Sequence, residues 1–314
     1  MKNVFIVNKA SRTGKAKELW DKVEEYLNAN GVEYEAHFTS GPKDATNFAK
    51  AATSTGEKVG LFVMGGDGTL NEALNGIMDF ENTIYTPLPS GSANDFVKGI
   101  EMEGDAIDIL KRALETENYK KFDIGRLSYK DEDGNEGSRL FGVSAGIGVD
   151  AYVCLQALDS KLKKFLNKFG LGSATYGLLT VGDIFTMPFS DARVTISYNG
   201  KTSARNIKST IFAASMNCKA EGGGIPMAPN ATADSGHLTA FIAHDISRLR
   251  CLKLLPYLVA GKHMGKEGFD LIDFDKILIE MQDKMCVHAD GEHVGFVNNI
   301  SFECWPQILN IRGL

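Results

Sequence analysis

The sequence lacks any apolar stretch long enough to cross a bilayer, which argues against an integral membrane protein. The apolar run near the start, Val4–Val7, is too short for a signal peptide and predicts a first β-strand. Cysteine is scarce, with five residues that are widely spaced and never arranged as Cys-x-x-Cys. A disulfide framework and a zinc site are therefore not expected, and a reducing cytoplasm is the expected compartment.

An excess of positive charge is also missing, since 34 Lys and Arg face 40 Asp and Glu and the net charge is −6. This balance argues against general nucleic-acid binding but permits a local basic patch facing an anionic membrane. There is no internal repeat and no low-complexity linker. The hydrophobic fraction of 43% with 24% charged residues is that of an ordinary globular protein.

The first ~120 residues alternate strand and helix patterns, which predicts an α/β domain with a parallel sheet. Apolar runs at Val4–Val7, Val59–Met64 and Ile84–Leu88 are typical of buried strands. Beyond Phe122 the pattern changes to short alternating strands, and Asn199-Gly200 is a strong hairpin signal.

Two domains are therefore expected, an α/β domain and a mostly antiparallel β-sandwich, with a cleft between them. The expected bounds are 1–124 for the first domain and 125–299 for the second, with 300–314 returning to the first. The segments Ala151–Phe169 and Leu249–Val259 are predicted to be helical.

The stretch VGLFVMGGDGTLNEALNGI, Val59 to Ile77, joins an apolar strand to a helix through a glycine-rich turn. Glycine permits positive φ and hence a sharp turn, and Thr69 with Glu72 predicts a capping box. However, a turn does not need three glycines, and Asp67 follows a parallel strand, where α/β sheets bind ligands. Backbone N–H groups at a helix start bind phosphate, and a carboxylate beside phosphate requires a cation, usually Mg²⁺. The turn therefore suits a nucleotide triphosphate with its metal.

Two common nucleotide motifs are absent. Thr13-Gly14-Lys15 lacks the earlier glycine of a Walker loop and is followed by Ala16 instead of Ser or Thr. No GxGxxG opens a helix in the first βαβ unit, so this is not a dinucleotide fingerprint. Phosphates must be held in another way.

GGDGTLNEALNGI resembles the signature of the diacylglycerol kinase catalytic-domain family, in particular its soluble bacterial lipid kinases. GGDGT is shared with NAD kinases, and related turns occur in phosphofructokinases, whereas the continuation TLNE is similar to lipid kinases. The resemblance extends over nearly the whole chain and implies an NAD kinase/phosphofructokinase-like nucleotide domain. It implies ATP contacts for a set of residues in the first domain: Asn8, Thr39, Gly65, Gly66, Asp67, Gly68, Thr69, Asn71, Glu72, Ser92, Asn94 and Asp95.

Three aspartates carry the implied metal chemistry. LPSGSANDF resembles the family's G-T-A-N-D-F segment, with Ser92 keeping the hydroxyl of the threonine, and Phe122-Asp123-Ile124-Gly125 resembles a third acidic segment. The resemblance implies that Asp67, Asp95 and, through water, Asp123 converge on Mg²⁺. Without a cation, such a gathering of like charges is costly.

HADGEHVG resembles the family's D-G-E segment, whose glutamate activates the acceptor hydroxyl. This implies that Glu292 is the catalytic base, assisted by Asp67 through the metal, although Asp290-Gly291 is also an ordinary hairpin turn. His288 and His293 are interpreted as ordinary residues. A structural Mg²⁺ of the family would have Asp234 as its only nearby acid, because Ser235 replaces the usual aspartate.

The glycine-rich segments FGVSAGIGVDA and NCKAEGGGIPMAPNA also match the family and are expected to frame the acceptor side. Lys161–Phe169, KLKKFLNKF, has the pattern of an amphipathic helix that lies on a membrane surface. We expect peripheral contact with the cytoplasmic face of the membrane, and leave a homodimer open.

The resemblance thus implies an ATP-dependent lipid kinase, with diacylglycerol as the default acceptor and phosphatidic acid as its product. Sphingoid bases, ceramide, other acylglycerols and phosphatidylglycerol are alternative acceptors. Two rival hypotheses remain. One is a kinase for a soluble acceptor of the NAD type, and the other is a catalytically inactive regulator that binds a nucleotide or a lipid.

Overall fold

The computed structural model describes residues 1–11, 15–130, 134–159 and 181–314. The chain forms two compact units, of which the first comprises Met1–Ile124 and Pro306–Leu314 and the second comprises Gly125–Trp305. The last segment therefore returns to the first unit at Pro306, while Ile300 is still paired with Ile279 in the second.

The first unit alternates strands and helices. Its strands are β1 (Lys2–Val7), β2 (Glu35–Phe38), β3 (Val59–Gly65) and β4 (Thr83–Pro89), joined by the end of β14 (Glu292–Ile311). Its helices are α1 (Lys15–Ala29), α2 (Asp44–Thr53), α3 (Asp67–Leu74), α4 (Asp95–Gly99) and α5 (Ala106–Glu115).

The sheet of the first unit is parallel throughout, in the order β2-β1-β3-β4 followed by the end of β14. Every residue of β3 is buried, as expected for a central strand covered by helices on both faces. Phe5 of β1 stacks on Phe62 of β3 with ring centroids 4.5 Å apart, and Trp20 of α1 packs edge-on against Phe5. The expected α/β architecture is confirmed.

The second unit is built from antiparallel strands with two helices. Its strands are β5 (Lys120–Lys130), which starts in the first unit, β6 (Glu136–Phe141), β7 (Ser144–Gly148), β8 (Ser190–Tyr198), β9 (Lys201–Thr210), β10 (Phe212–Met216), β11 (Leu238–Ala243), β12 (Phe269–Phe274), β13 (Lys276–Ala289) and most of β14. Its helices are α6 (Val149–Asp159) and α7 (Arg248–Val259), and residues 181–186 are also helical.

Side chains along β11 alternate between two cores because successive residues of a strand point to opposite faces. Leu238, Ala240 and Ile242 belong to a core shared with β8 and β13. Phe241 and Ala243 belong to a second core, shared with α6 and α7. One sheet thus packs on strands through one face and on helices through the other, which confirms the β-sandwich.

The hairpin prediction at Asn199-Gly200 is confirmed, since both residues have positive φ, 50° and 72°, between the paired strands β8 and β9. The helix after the glycine turn, α3, ends at Leu74, and Met78 beyond it is 58% exposed. Of the predicted helix 151–169, residues up to Asp159 are helical as α6. The amphipathic segment 161–169 lies outside the described residues.

No helix in the described part of the chain is both long and apolar enough to cross a membrane.

Candidate functional site

Three strand ends of the first unit bring the predicted nucleotide residues to one edge of its sheet. From β1 the chain continues to β2 on one side of the sheet, whereas from β3 it continues to β4 on the other side. The gap between β1 and β3 is therefore a topological switch point, where α/β sheets bind ligands. Asn8 follows β1, and its side-chain amide donates to the Thr69 hydroxyl beyond β3 at 3.0 Å. Thr39, after β2, donates its backbone N–H to Val7 O at 3.0 Å.

The glycines of the turn are required by close approach. A Cβ on Gly65 would lie 2.4 Å from Cβ of Thr69, and a Cβ on Gly91 would lie 2.5 Å from Cα of Gly66. None of the three glycines of the turn has positive φ, so the expectation that they permit a left-handed backbone is wrong. Gly66 and Gly91 let the β3 and β4 turns touch, backbone to backbone, whereas Gly65 leaves room for the Thr69 side chain.

The start of α3 differs from the expected capping box. The helix begins at Asp67 with Gly66 as N-cap, and no side chain caps it. The Thr69 hydroxyl instead accepts from Asn8, inside the first turn. The predicted box is wrong because the helix starts three residues earlier, which places the Asp67 carboxylate at the positive end of the helix dipole.

Asn71 is buried within α3, and its carbonyl and side-chain oxygens accept from the amide of Asn75 at 2.9 and 3.2 Å. Glu72 is half-buried, and its backbone oxygen accepts from the Thr46 hydroxyl at 2.8 Å. Both residues therefore help to fix α3 in place. Direct nucleotide contacts by either one remain a prediction.

The β4 turn lies directly against the β3 turn. Ser90 donates its N–H to Gly65 O at 2.9 Å, and Ser92 is exposed. Asn94 is in the left-handed region with φ 53° and accepts from Gly91 N at 3.0 Å, which closes the turn before α4.

The first turn of α4, which begins at Asp95, lies beside Asp67. Oδ1 of Asp67 accepts the backbone N–H of Phe96 at 3.3 Å, and Phe96 is the residue after Asp95. Asp123, in contrast, is fully buried in β5, where its Oδ1 accepts the N–H of Gln307 at 2.7 Å from the returning strand. Asp123 therefore has a structural role in the first unit, and its water-mediated metal role stays a prediction.

These residues fit a magnesium-bound triphosphate. The turns of β3 and β4 form a cradle of bare backbone that a single Cβ would fill, next to two helix starts. Helix N-termini bind phosphate through free N–H groups. Mg²⁺ typically needs only one or two protein carboxylates besides phosphate oxygens and water, and Asp67 and Asp95 are the residues that would supply them here.

In the second unit, the β13–β14 hairpin carries the D-G-E segment. Asp290 and Gly291 form its turn with φ 48° and 80°. The Asp290 carboxylate accepts the backbone N–H groups of Gly142 and Val143 at 2.8 Å each and of Ser144 at 3.0 Å. This aspartate therefore fastens the hairpin to the loop that precedes β7.

Glu292 is the first residue of β14 and is half-buried. Within the described part of the chain, no hydrogen bond or ion pair engages its carboxylate. Of the two acids in the hairpin, one is thus committed to backbone groups and the other is available for chemistry. Asp234 is half-buried before β11, and its metal role stays a prediction.

A buried polar cluster lies beside this hairpin. Ligand atoms of Asp150, Glu221 and His288 lie within 4.8 Å of one another, and the hydroxyl of Ser144 contacts the Glu221 carboxylate. His288 Nε2 lies 3.3 Å from Oδ2 of Asp150. A Cβ on residue 146 would lie 2.1 Å from Oδ2 of Asp150, so only glycine fits at this position.

The His288 ring acts in this cluster as a hydrogen-bond link. Its Nδ1 accepts the Gly291 N–H at 3.2 Å, so the neutral ring carries its proton on Nε2 and donates it to Asp150. A metal ion at Nε2 would displace that proton. Burial alone would lower the pKa of His288, but the hydrogen bond to Asp150 and the charges of Asp150, Glu221 and Asp290 outweigh it and raise the pKa.

This cluster was not predicted from the sequence. Asp150 and Glu221 lie inside the two glycine-rich segments that matched the family, but neither was singled out, and His288 was interpreted as an ordinary residue. The structure brings both segments to the hairpin. The available signal was an acid in each segment, next to glycines that leave room for it.

The architecture is a two-domain fold of the NAD kinase type, with an α/β domain and a β-sandwich domain. The diacylglycerol kinase catalytic domain family matches residues 2–127, and the YegS C-terminal NAD kinase beta sandwich-like domain matches residues 143–313. The chain therefore belongs to the diacylglycerol kinase catalytic-domain family, with the YegS-type second domain.

Curated relatives carry matching names. The chain is 26% identical over 296 residues to YtlR of Bacillus subtilis strain 168, which is provisionally named a lipid kinase. The alignment covers 93% of each chain. It is 25% identical over 270 residues to the diacylglycerol kinase of the same strain, which covers 85% of this chain and 82% of the relative.

Solved structures share the fold. A diacylglycerol kinase from Bacillus anthracis str. Sterne aligns with TM-score 0.68 at 20% identity, over 99% of this chain and 96% of that chain. An NAD kinase from Archaeoglobus fulgidus in complex with ATP aligns with TM-score 0.53 at 14% identity, over 98% and 92%.

Proposed function

We propose that the protein is an ATP-dependent lipid kinase that transfers the γ-phosphoryl group to the free hydroxyl of diacylglycerol and forms phosphatidic acid. The observation that carries this proposal is the backbone cradle between the β3 and β4 turns, with Asp67 at its helix start. Membership of the diacylglycerol kinase catalytic-domain family supports the same chemistry. Relatives named diacylglycerol kinase support the acceptor.

The first unit binds MgATP. Backbone N–H groups of the two turns hold the phosphates, and Asn8 fixes Thr69 so that the turn keeps its shape. Asp67 and Asp95 would hold Mg²⁺, which neutralises charge on the phosphates when it is bound. Asp67 lies at the start of α3, where the helix dipole favours a negative charge.

Glu292 accepts the proton of the lipid hydroxyl. In the transfer, the hydroxyl oxygen bonds to the γ-phosphorus, the bond from that phosphorus to the β,γ-bridging oxygen breaks, and ADP leaves. The hydroxyl proton moves to the Glu292 carboxylate. Asp290 does not serve as this base because its carboxylate already accepts three backbone N–H groups.

The test is transfer from labelled ATP to a lipid panel in the presence of Mg²⁺. Glu292→Gln and Asp67→Asn should each lower kcat by about 10²- to 10⁴-fold. Glu303→Gln, which changes another half-buried glutamate of β14, and Asp21→Asn on the exposed side of α1 are the matched controls and should keep full activity. Wild-type-like transfer by Glu292→Gln would refute its assigned role.

The panel also decides the acceptor. It contains diacylglycerol, monoacylglycerol, ceramide, a sphingoid base, phosphatidylglycerol and NAD. Preference for diacylglycerol by kcat/KM supports the proposal, and phosphorylation of NAD alone would assign a soluble acceptor. Absence of transfer to every acceptor, with ATP still bound, would point to a regulator. A lipid acceptor places the protein at the membrane surface, and we propose the cytoplasmic face.

A further inference from the structure

Helix α7 of the second unit has an outer face that is apolar although it is exposed. The helix packs inward through Cys251, Leu254 and Leu258, which belong to the core shared with α6. On its opposite side, Leu249 and Val259 are each 66% exposed. Large apolar side chains with that exposure at both ends of one helix face call for a partner.

The outer face is continuous along the helix. At 100° per residue, four apolar residues fall within an arc of about 80°, whose centre lies about 140° from Leu258: Leu249, Leu252, Pro256 and Val259. Leu252 is half-buried and also packs against the core shared with α6, whereas Pro256 is exposed. No polar residue interrupts this stripe, and Lys253 lies at its margin.

The neighbouring segment extends the apolar surface. The guanidinium of Arg248 donates to the carbonyls of Ile184 and Met187, so residues 184–187 are fastened to the start of α7. On this short helical stretch, Val181 and Phe185 are four residues apart and are 39% and 50% exposed. The exposed apolar set, which we call the α7 face, therefore spans two segments of the unit.

The chain segment that contains α7 carries charges of one sign. From Arg248 to Lys266 there are five Lys or Arg residues and no Asp or Glu. Two of these cations have local partners: Arg248 binds backbone carbonyls, and Arg250 pairs with Glu267 at 2.6 Å. Lys253, Lys262 and Lys266 are exposed. A chain with net charge −6 thus concentrates cations beside its exposed apolar helix.

We propose that the α7 face is a membrane-docking surface, which inserts its apolar stripe into the interface of an anionic bilayer. An apolar stripe bordered by lysines is the pattern of interfacial helices, because apolar side chains enter the acyl boundary while cations meet lipid phosphates. A second copy of this chain fits less well. A twofold contact through this face would bring two sets of cations together.

The docking surface deepens the proposed function, since it would bring a lipid kinase to its acceptor. Binding is measured without ATP, by sedimentation with vesicles of phosphatidylcholine alone or mixed with phosphatidylglycerol. The double variant Leu249→Glu with Val259→Glu changes side chains that are mostly in water, so the fold should persist. Met78→Glu, at a 58% exposed apolar residue of the first unit, is the matched control.

We expect wild type and Met78→Glu to bind the anionic vesicles, and the double variant to bind about tenfold or more weakly. Lys253→Glu with Lys262→Glu should also weaken binding and abolish its salt dependence. Equal binding by wild type and both double variants would overturn the proposal. So would a wild-type dimer in light scattering that the Leu249 and Val259 changes convert to monomer.

Transfer activity keeps the two proposals distinguishable. On a short-chain diacylglycerol dispersed in water, the α7 variants should keep wild-type kcat, because the changes lie outside the catalytic residues. If the wild type phosphorylates no lipid but its vesicle binding still depends on α7, the proposed function fails while the docking surface stands. If transfer occurs but vesicle binding ignores α7, only the docking surface fails.

Discussion

Replacing Gly91 by alanine tests whether the β3 and β4 turns must touch through bare backbone. The new Cβ would lie 2.5 Å from Cα of Gly66 and 2.9 Å from Oδ1 of Asn94. Carbon atoms in contact are normally about 3.5–4.0 Å apart, so the two turns would have to separate by about 1 Å. Both contacts involve groups that other bonds hold, because Ser90 N donates to Gly65 O and Asn94 closes its own turn.

The cost follows from that displacement. Forcing one extra carbon into a packed site typically costs about 1–3 kcal/mol. For a unit of this size each kcal/mol lowers Tm by about 3–5 °C, so the Tm of the first unit should fall by about 3–15 °C. Affinity for ATP should fall as well, since the displaced N–H groups are those proposed to hold the phosphates.

Differential scanning calorimetry measures the first effect and isothermal titration with ATP the second. Gly41→Ala is the matched control, because a Cβ at Gly41 would meet no atom within 4 Å and its φ is not positive. Both substitutions restrict the unfolded chain by a similar amount, which alone is worth about 0.4–1 kcal/mol of stabilisation. Equal Tm values for Gly91→Ala and Gly41→Ala would refute the close-approach argument.

Three further outcomes follow from buried groups. The pKa of His288, followed by NMR, should exceed that of free histidine and should fall in Asp150→Asn. The protonated ring therefore stabilises the fold at low pH, and this stabilisation is lost as the pH rises through the raised pKa. A pKa below that of free histidine would contradict the cluster. Burial raises the pKa of Cys286 to about 12. A thiol reagent at neutral pH should therefore leave Cys286 unlabelled in the folded protein but label the half-buried Cys154. Rapid labelling of both cysteines would contradict the packing. Asp123→Ala should lower the free energy of unfolding by about 1–3 kcal/mol in urea titration, because the Gln307 N–H loses a charged acceptor, and an unchanged midpoint would contradict that role.

The sequence predicted the first unit well because its signals are local. Each buried strand is a short apolar run, and each turn that follows carries its own glycines, so β3 and α3 were placed nearly correctly. The predictions were wrong where tertiary contacts determine the hydrogen-bond partner of a side chain. Thr69 had the spacing of a helix cap, yet its hydroxyl pairs with Asn8, a residue 61 positions away. Nothing in the local pattern encodes that partner.

The second unit shows the same limit more strongly. Its hairpin at Asn199-Gly200 was predictable from two residues, whereas the polar cluster joins Asp150 and His288 across 138 positions. Such pairs depend on strand register, here the antiparallel pairing of His288 with Gly146 in β7. A single sequence gives the residues of this cluster but not the register that brings them together.

The two acids of the D-G-E hairpin differ in their contacts, and this difference supports separate roles for them. A tight turn after a buried strand leaves backbone N–H groups of the adjoining loop without partners, and the Asp290 carboxylate accepts three of them. That commitment makes the turn rigid and removes Asp290 as a base. Rigidity in turn benefits Glu292, because a base is effective only when its carboxylate is held at a fixed position. Asp290→Asn should therefore loosen the hairpin and lower kcat, while the proton still goes to Glu292.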